Sequence, residues 1–304
     1  MASLAVIILT FNEQKHIERA IASVARVAQE IIVVDSFSTD STVELAKAKG
    51  AVVLQNKFVN YANQFQWALD QAPITSDWIM RLDADEIIES DLAAEIAAKL
   101  PALPADVAGI NLNRKTIFLD RWIKHGGRYP MFLLRIWRRG SGRIENRWMD
   151  EHMIVQGGRT VNFEGGFADY NMNDLTFWIT KHNHYATREA IDVLNKAHGL
   201  FESDRALVDS GTSQAKIKRL LKTEVFDKVP FWFGTTAYFL YRYVLRGGFL
   251  DGVEGLIYHF LQGYWYRFLV GAKVFEYRRA LAKFPEPEKK AAELSRLTGY
   301  QLRL

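Results

Sequence analysis

Three carboxylates fall within four residues in Asp83-Ala84-Asp85-Glu86, directly after the apolar run Trp78-Ile79-Met80-Arg81-Leu82. The run predicts a buried strand, and ligands of open α/β sheets bind at the carboxyl ends of strands. Carboxylates this close raise each other's pKa unless a cation lies between them. Mg²⁺ or Mn²⁺, held by one or two carboxylates and by substrate phosphates, suits such oxygen ligands. The alternative is an acidic helix start, because Asp and Glu stabilise helix N-termini.

Two further polar groups follow predicted strands. Thr10-Phe11-Asn12-Glu13 follows a strand at residues 4–9, and Asp35 ends a strand at residues 31–34. The first segment offers backbone N–H groups and polar side chains to a nucleotide, and Asp35 can accept hydrogen bonds from a ribose hydroxyl or a base. The segment lacks the glycines of G-x-G-x-x-G and phosphate-binding loops. The alternatives are Asn12 as a helix N-cap and Asp35 as a turn residue.

The elements that must position these residues alternate along the first 110 residues. Apolar runs at residues 4–9, 31–34, 51–54 and 78–82 predict strands, and the segments 13–28, 41–49 and 61–71 predict helices. Ser41 and Glu44 match a capping box, and Gly50 matches a helix C-cap. This alternation predicts an α/β fold with a mostly parallel sheet flanked by helices.

The rest of the chain differs in character. Residues 132–137 and 153–155 predict strands, and from about residue 174 the chain is helical and strongly aromatic, with 17 of its 39 aromatic residues between Phe226 and Tyr277. We therefore predict two domains, residues 1–170 and residues 171–304. The aromatic region is either packed on the core or is an interfacial surface, with Trp and Tyr at headgroup depth. The uncharged run of residues 229–241 is too short to span a bilayer.

Composition narrows the classes of function. The chain has no cysteine, which excludes disulfides and zinc–thiolate sites and favours a reducing compartment. The N-terminus lacks the features of a signal peptide. A formal charge of +4 suits an anionic substrate or a membrane surface and is no nucleic-acid footprint by itself. His182 and His184 do not share a helix face, so a zinc site there is disfavoured.

A third acidic cluster occurs in Trp148-Met149-Asp150-Glu151-His152. One of its carboxylates could act as a general base toward a hydroxyl nucleophile, and the alternative is a solvated turn. Several basic residues nearby either bind phosphate or an anionic acceptor, or form a solvated face: Lys124, Arg128, Arg143 and Arg147.

Taken together, these motifs resemble those of a family 2 glycosyltransferase of the GT-A fold. The resemblance is carried, in order, by Val6-Ile7-Ile8-Leu9-Thr10-Phe11-Asn12-Glu13, Ile32-Val33-Val34-Asp35-Ser36 and Leu82-Asp83-Ala84-Asp85-Glu86. Three later segments are similar to the bacterial branch that builds lipopolysaccharide core and other surface polysaccharides: Asp150-Glu151-His152, Lys181-His182-Asn183-His184-Tyr185-Ala186 and Gly248-Phe249-Leu250-Asp251-Gly252.

The resemblance implies roles for the site residues. The nucleoside would be contacted by Thr10, Asn12, Glu13 and Asp35. Asp83 would lie near the ribose and the metal, Asp85 would ligate Mg²⁺ or Mn²⁺, and Asn63 and Gln64 would contact the base or diphosphate. Glu151 is favoured over Asp150 as the catalytic base, although the sequence does not separate them.

The resemblance also implies inverting transfer from a nucleotide-diphosphate sugar, with UDP favoured, by a nucleotide-sugar-binding catalytic domain at residues 1–170. Because the Q-x-x-R-W motif of processive members is missing, we expect transfer of a single sugar. The aromatic region suggests a lipid-linked glycan or lipopolysaccharide-type acceptor, and a cytoplasmic protein that is peripheral on the inner face of the cytoplasmic membrane. The alternatives are a sugar-nucleotide pyrophosphorylase, which would normally carry a glycine-rich loop, and a non-catalytic membrane-surface protein.

Overall fold

The computed structural model describes residues 2–145, 152–201 and 230–302. These residues form two compact units, of which the first ends at Met172 and the second continues from Asn173. The division into domains 1–170 and 171–304 stays a prediction.

The first unit is built on one large sheet. Its strands follow the order β3-β2-β1-β4-β8-β6-β11-β5, and β7 pairs with β6. Their bounds are β1 Leu4–Thr10, β2 Glu30–Asp35, β3 Val52–Gln55, β4 Trp78–Asp83, β5 Glu86–Ile88, β6 Val107–Phe118, β7 Arg121–Ile123, β8 Phe132–Arg138 and β11 Arg159–Tyr170. A separate two-stranded sheet pairs β9 Gly142–Ile144 with β10 Met153–Val155.

The predicted α/β class with helices flanking a sheet is confirmed, and the sheet is mixed instead of mostly parallel. The pairs β3–β2, β2–β1 and β1–β4 are parallel, whereas β8, β7 and β5 join antiparallel. Both faces of β1 are covered: Val6 and Ile8 belong to one apolar cluster and Ile7 to the other. This double burial explains why β1 reads as a continuous apolar run instead of an alternating one.

Four helices connect the early strands: α1 Ile17–Val24, α2 Thr42–Ala48, α3 Tyr61–Gln71 and α4 Ser90–Lys99. The first is shorter than the predicted segment 13–28. The capping box predicted for α2 is wrong, because the Ser41 side chain makes no capping hydrogen bond and Asp40 Oδ1 accepts the Thr42 N–H at 3.0 Å instead. A carboxylate one residue earlier is the stronger acceptor. Gly50 follows α2 with φ +82°, in the left-handed region expected of a helix C-terminus.

The second unit confirms the predicted aromatic-rich helical region. Its helices are α5 Leu175–His198, α6 Phe231–Leu240, α7 Gly252–Tyr258, α8 Tyr266–Leu281 and α9 Pro287–Thr298, with π-helical segments at Tyr241–Leu245 and His259–Trp265 and a 3₁₀ turn at Gly248–Asp251. Its apolar core includes Leu194, Leu281 and Leu294. Across the described ranges, no helix combines the length and the apolarity that a bilayer crossing requires.

Candidate active site

The ends of three parallel strands meet at one edge of the sheet. Thr10 pairs with Asp35 across β1 and β2, and Leu9 pairs with Asp83 across β1 and β4. The structure therefore brings Thr10, Asp35 and Asp83 to the same edge, because all three strands run in the same direction and end within one residue of one another. We call this region the strand-end edge.

Asp35 is buried at this edge and is held as a fixed hydrogen-bond acceptor. Its carboxylate accepts from Thr10 Oγ1 at 3.2 Å, from the Ser38 N–H at 2.9 Å and from Gln55 Nε2 at 3.2 Å, and it also accepts from the Ser38 hydroxyl. These donors keep the side chain in one orientation beside the loop that follows β2.

Asn12 ties the loop after β1 to the loop after β2. Its N–H donates to Ser38 Oγ at 2.8 Å, and its Oδ1 accepts the Thr39 N–H at 2.8 Å. Asn12 does not cap α1, since the N-cap position is His16. With φ +56° it occupies the left-handed region, as Phe37 does at +61°. Non-glycine residues in this region are uncommon and cluster at functional sites.

Glu13 is directed away from the open edge. Its Oε2 lies 2.6 Å from His16 Nδ1, and His16 Nε2 accepts the Met172 N–H at 2.9 Å. Because Nε2 accepts a backbone N–H, the hydrogen-bond network assigns the imidazole proton to Nδ1. Glu13 thus joins the start of α1 to the residues after β11.

Asp83 ends β4 between two arginines. One carboxylate oxygen accepts from the Tyr61 hydroxyl and lies 3.4 Å from Arg81 Nε, and the other lies 3.8 Å from Arg135 Nη2. Burial opposes ionisation, but Arg81 and Arg135 hold the pKa of Asp83 well below its usual range. Asp83 is therefore ionised at neutral pH, and its side chain is 28% exposed.

Glu86 serves a different purpose from its neighbours. It is 2% exposed, its Oε1 accepts from Arg135 Nη2 at 2.6 Å, and its Oε2 accepts the Asp83 N–H at 2.9 Å. Burial raises the pKa of Glu86 to about 8, against the opposing charge of Arg135. The sequence predicted a cation between these carboxylates. Between Asp83 and Glu86, positive charge is supplied by a protein side chain, the guanidinium of Arg135.

Asp85 lies in the turn between β4 and β5. Its Oδ2 accepts from Asn171 Nδ2 at 2.9 Å, and its backbone oxygen accepts the Tyr170 N–H at 3.0 Å and Arg19 Nη2 at 3.3 Å. The end of β11 thus fixes the backbone of this turn, and the half-buried carboxylate of Asp85 stands beside Asp83 in sequence.

The donor set fits a hard divalent cation. Within residues 2–145, 152–201 and 230–302, no three His, Asp or Glu side chains are grouped as a metal site. Asp83 and Asp85 offer carboxylate oxygens, which Mg²⁺ and Mn²⁺ favour, and Mg²⁺ usually takes its remaining ligands from water and substrate phosphates. The two aspartates are therefore the described residues that could hold such an ion.

Asn63 and Gln64 are placed differently although they are adjacent. Gln64 is fully buried, and its amide donates to Ser36 Oγ at 3.2 Å and to the Asn56 backbone oxygen at 3.0 Å. Asn63 is exposed on the first turn of α3, where its N–H donates to the N-cap Asn60 at 2.7 Å. Gln64 supports the loops after β2 and β3, whereas the Asn63 side chain is open to a ligand.

The predicted base residues Asp150 and Glu151, together with Arg147, lie outside the described residues. Glu145 and His152 flank this segment. Glu145 is fully buried, and its N–H donates to the His152 backbone oxygen at 2.9 Å. Among the basic residues, Lys124 Nζ lies 5.2 Å from the Trp122 ring centroid, and Arg128 Nη2 donates to Thr116 Oγ1 at 3.3 Å.

His182 takes part in aromatic packing within the second unit. Its ring stacks on Trp178 with centroids 3.5 Å apart, and its Nδ1 lies 2.8 Å from the Trp178 backbone oxygen. Burial lowers the pKa of His182 to about 4, so the ring is neutral at pH 7.

Several residues that contact the strand-end edge are not among the predicted site residues. They are Arg19, Tyr61, Arg81, Arg135 and Asn171. Arg81 and Arg135 could have been found from the sequence, because each is a charged residue inside an apolar run. A charged residue in a buried strand must have a partner. Arg135 lies in such a run, Phe132-Leu133-Leu134-Arg135-Ile136-Trp137. Arg19 and Asn171 carried no such signal.

Several known proteins are similar to this chain. An uncharacterized glycosyltransferase of Rickettsia typhi is 28% identical over 269 residues, covering 86% of each chain. The lipopolysaccharide core biosynthesis glycosyltransferase LpsC of Rhizobium meliloti is 27% identical over 288 residues, covering 93% of this chain and 95% of LpsC.

Among solved structures, the glucosyl-3-phosphoglycerate synthase of Mycobacterium tuberculosis in complex with Mn²⁺ and UDP is 22% identical, with a TM-score of 0.32 over 38% of this chain and 44% of that chain. The sequence profile of glycosyl transferase family 2 matches residues 5–173, which include the whole strand-end edge. The chain is a glycosyltransferase and belongs to glycosyl transferase family 2.

Proposed function

We propose that this glycosyltransferase moves a single sugar, with inversion, from a nucleotide-diphosphate sugar to a hydroxyl of a lipid-linked glycan or lipopolysaccharide-type acceptor. UDP is the favoured nucleotide. The observation that carries the donor half of the proposal is the convergence of Thr10, Asp35 and Asp83 at one sheet edge, with Asp85 in the next turn. The likeness to LpsC, which is named for lipopolysaccharide core biosynthesis, supports the acceptor class.

The nucleoside would bind at the ends of β1 and β2. Asp35 is a fixed acceptor for a base N–H or a ribose hydroxyl, and Thr10 is hydrogen-bonded beside it. Phe11 and Phe37, 57% and 53% exposed, stand on the two loops that Asn12 joins. Exposed aromatic rings of this kind can stack on a planar base.

Asp85, with Asp83 beside it, would hold Mg²⁺ or Mn²⁺. When bound, the ion supplies positive charge that neutralises the leaving diphosphate. Arg81 and Arg135 keep Asp83 ionised, so the carboxylate is ready as a ligand without first losing a proton.

Glu151, or Asp150 in its place, would take the proton of the acceptor hydroxyl. The hydroxyl oxygen attacks the anomeric carbon from the side opposite the diphosphate, so the carbon–oxygen bond to the donor breaks and the configuration inverts. The proton moves to the carboxylate and the diphosphate leaves with the bonding electrons.

The protein would work at the inner face of the cytoplasmic membrane, with residues 171–304 in contact with the lipid surface. The support is the set of exposed aromatic side chains of the second unit, among them Trp232, Phe233 and Tyr241. Trp and Tyr favour the headgroup region of a bilayer.

The test is calorimetric titration of UDP, GDP and dTDP with and without Mn²⁺ on the wild type, Asp85→Asn and Asp70→Asn. Asp70 is an exposed acid on α3 and provides the matched control. We expect metal-dependent binding of one nucleotide, lost in Asp85→Asn and kept in Asp70→Asn. The donor site would be rejected if no nucleotide bound, and the metal role if Mn²⁺ or Asp85→Asn made no difference.

A further inference from the structure

The exposed apolar side chains of the described residues are concentrated in one part of the second unit. Of 23 exposed large hydrophobic residues, 13 lie between Trp232 and Phe275. Scattered exposed apolar residues are normal, but a contiguous apolar surface marks a binding site for protein or membrane.

This surface belongs to a helical hairpin formed by residues 231–281. Three aromatic pairs show that its two arms run antiparallel: Phe231 with Phe268 at 5.1 Å, Phe239 with Phe260 at 6.2 Å and Tyr243 with His259 at 6.2 Å between centroids. The first arm, residues 231–245, is about 22 Å long at roughly 1.5 Å per residue. That is shorter than the ~30 Å hydrocarbon core of a bilayer.

The first arm carries a stripe without charge. Its exposed residues recur in adjacent pairs every four positions, which places them on one face of a helix. The members are Trp232, Phe233, Thr236, Ala237, Leu240, Tyr241, Val244 and Leu245. Helix α6 is apolar around its whole circumference, and such helices are buried in protein or in lipid.

The turn and the second arm continue the apolar surface. Exposed hydrophobic residues follow at intervals close to one or two helical turns, again without a charge among them: Phe249, Val253, Leu256, Phe260, Phe268 and Phe275. Exposed apolar residues thus occur on both arms as well as in the turn, and the end of the second arm also exposes Glu276, Arg278 and Arg279.

Several polar side chains of the hairpin are buried. Arg242 is 3% exposed and donates to Gln262 Oε1 at 2.6 Å, while His259 Nε2 lies 3.8 Å from the buried carboxylate of Asp251. A hairpin built for water would show the opposite arrangement. Charged side chains are costly in hydrocarbon, and burial of Arg242 and Asp251 inside the hairpin keeps both of them away from it.

Charge favours lipid over a second copy of the chain. The hairpin 231–281 contains six Lys or Arg and three Asp or Glu, so its formal charge is +3. Anionic headgroups attract basic residues that lie near the membrane surface. A second copy would bring the same positive excess against itself.

We propose that the hairpin 231–281 lies in the plane of one leaflet of an anionic phospholipid bilayer. Its two apolar stripes enter the acyl region, and Arg246, the exposed basic residue at the turn, contacts lipid phosphate. The proposal rests on the membrane association proposed above and specifies its element, orientation and lipid class. In-plane contact follows from the stripes, which extend along both arms.

The first test measures flotation of the full chain with vesicles of phosphatidylglycerol and phosphatidylcholine, and with vesicles of phosphatidylcholine alone. The double variant Leu245→Glu/Val253→Glu changes side chains that are 77% and 68% exposed, so the fold is spared. We expect a partition coefficient at least about tenfold lower than wild type. Val52→Glu, the same change at a 49% exposed residue of the first unit, should bind as wild type.

Charge dependence is tested with the same vesicles. Arg246→Glu should weaken binding to phosphatidylglycerol vesicles by about fivefold or more. Equal wild-type binding to both vesicle compositions would overturn the anionic requirement. Nucleotide titration of each variant reports the donor site separately, so failure of the hairpin proposal and failure of the sugar-transfer proposal are distinguishable.

The second test reads orientation. The chain has no cysteine, so Leu240→Cys, Leu256→Cys, Leu250→Cys and the control Val52→Cys each accept one environment-sensitive fluorophore. We expect a blue shift with vesicles at 240, 250 and 256 and none at 52. A shift at 250 alone would overturn the in-plane orientation. A concentration-dependent shift without vesicles would identify a second copy as the occupant and overturn the proposal, as would unchanged vesicle binding of the double variant.

Discussion

The strand-end edge and the hairpin both bury an arginine, but they use it in opposite ways. At the edge, Arg135 is 5% exposed and lies between the carboxylates of Asp83 and Glu86. In the hairpin, Arg242 is 3% exposed and donates to the neutral amide of Gln262. In the first arrangement two carboxylates share one guanidinium, whereas in the second a buried guanidinium is paired with a neutral amide.

The comparison shows that residue type alone does not decide where a side chain lies. In the first unit, apolar residues fill the two cores on either side of the sheet and polar residues collect at the strand ends. In the hairpin, Arg242, Asp251 and His259 are buried, whereas large aromatic residues such as Trp232 and Phe249 are exposed. The physical reason is the partner of each surface, which is a polar ligand in one case and hydrocarbon in the other under the proposals above.

The largest expected effect is on turnover, and it should leave nucleotide binding at the strand-end edge unchanged. Glu151→Gln should lower turnover by about 10²–10⁴-fold, because general-base assistance is removed, while nucleotide affinity stays at the wild-type value. Steady-state kinetics and UDP titration measure the two quantities. Asp150→Asn is the matched variant. Near-normal turnover in Glu151→Gln with loss in Asp150→Asn would move the base to Asp150.

Replacing the buried arginine of the edge should be the most destabilising change. Arg135→Met removes the guanidinium shared by the ionised Asp83 and the buried Glu86, and should lower the free energy of unfolding by about 3–5 kcal/mol. Arg159→Met breaks an ion pair with Asp106 whose side chains are 55% and 62% exposed, and should cost under about 1 kcal/mol. Urea unfolding compares them, and equal losses would contradict the role given to Arg135.

The enclosed polar groups of the hairpin depend on close packing. A Cβ at Gly248 would stand 2.7 Å from His259 Cδ2, whereas one at Gly263 would meet Arg242 at an ordinary 3.5 Å. Gly248→Ala should therefore lower the free energy of unfolding by about 1–3 kcal/mol, and Gly263→Ala should cost clearly less. Thermal unfolding of both variants provides the measurement, and a smaller loss for Gly248→Ala than for Gly263→Ala would argue against the packing described.

The smallest effect concerns pH in the second unit. His182 has a pKa lowered from 6.5 to about 4 by burial, so the unfolded chain binds the proton first as pH falls. Stability is complete above pH 6.5 and declines toward pH 4, by about 1 kcal/mol at pH 5.5. Unfolding midpoints across this range should fall less in His182→Gln. His184→Gln, an exposed neighbour, should keep the wild-type slope.

The predictable part of the fold was local. The strands at residues 4–9, 31–34 and 78–82 follow from short apolar runs, and the observed strands end one residue later, at Thr10, Asp35 and Asp83. Helix starts were harder, because the predicted segment 13–28 gave a helix only over Ile17–Val24. The turn before it has its own hydrogen bonds, such as the His16 N–H to the Glu13 oxygen at 2.9 Å, which a helical pattern does not reveal.

The carboxylates of Asp83-Ala84-Asp85-Glu86 differ in their surroundings because each contacts different residues that are far away in the sequence. Only the family resemblance distinguished the three carboxylates in the sequence, whereas in the structure Glu86 is paired with Arg135, 49 residues away, and Asp85 accepts from Asn171, 86 residues away. Gln64, which was predicted to contact the base or diphosphate of the sugar donor, is buried and donates to Ser36, another residue distant in sequence. The spacing of residues along the chain does not predict such contacts.

By itself, the sequence determined the α/β class, the convergence of Thr10, Asp35 and Asp83, and the aromatic character of the C-terminal region, because period and strand order are local properties. Only the tertiary structure decided which carboxylates remain open, which arginines balance them, and that large aromatic side chains of the hairpin are exposed while several of its polar side chains are buried. Those outcomes depend on strand register and helix pairing between residues far apart, where burial makes an unpaired charge too costly and a matched partner necessary.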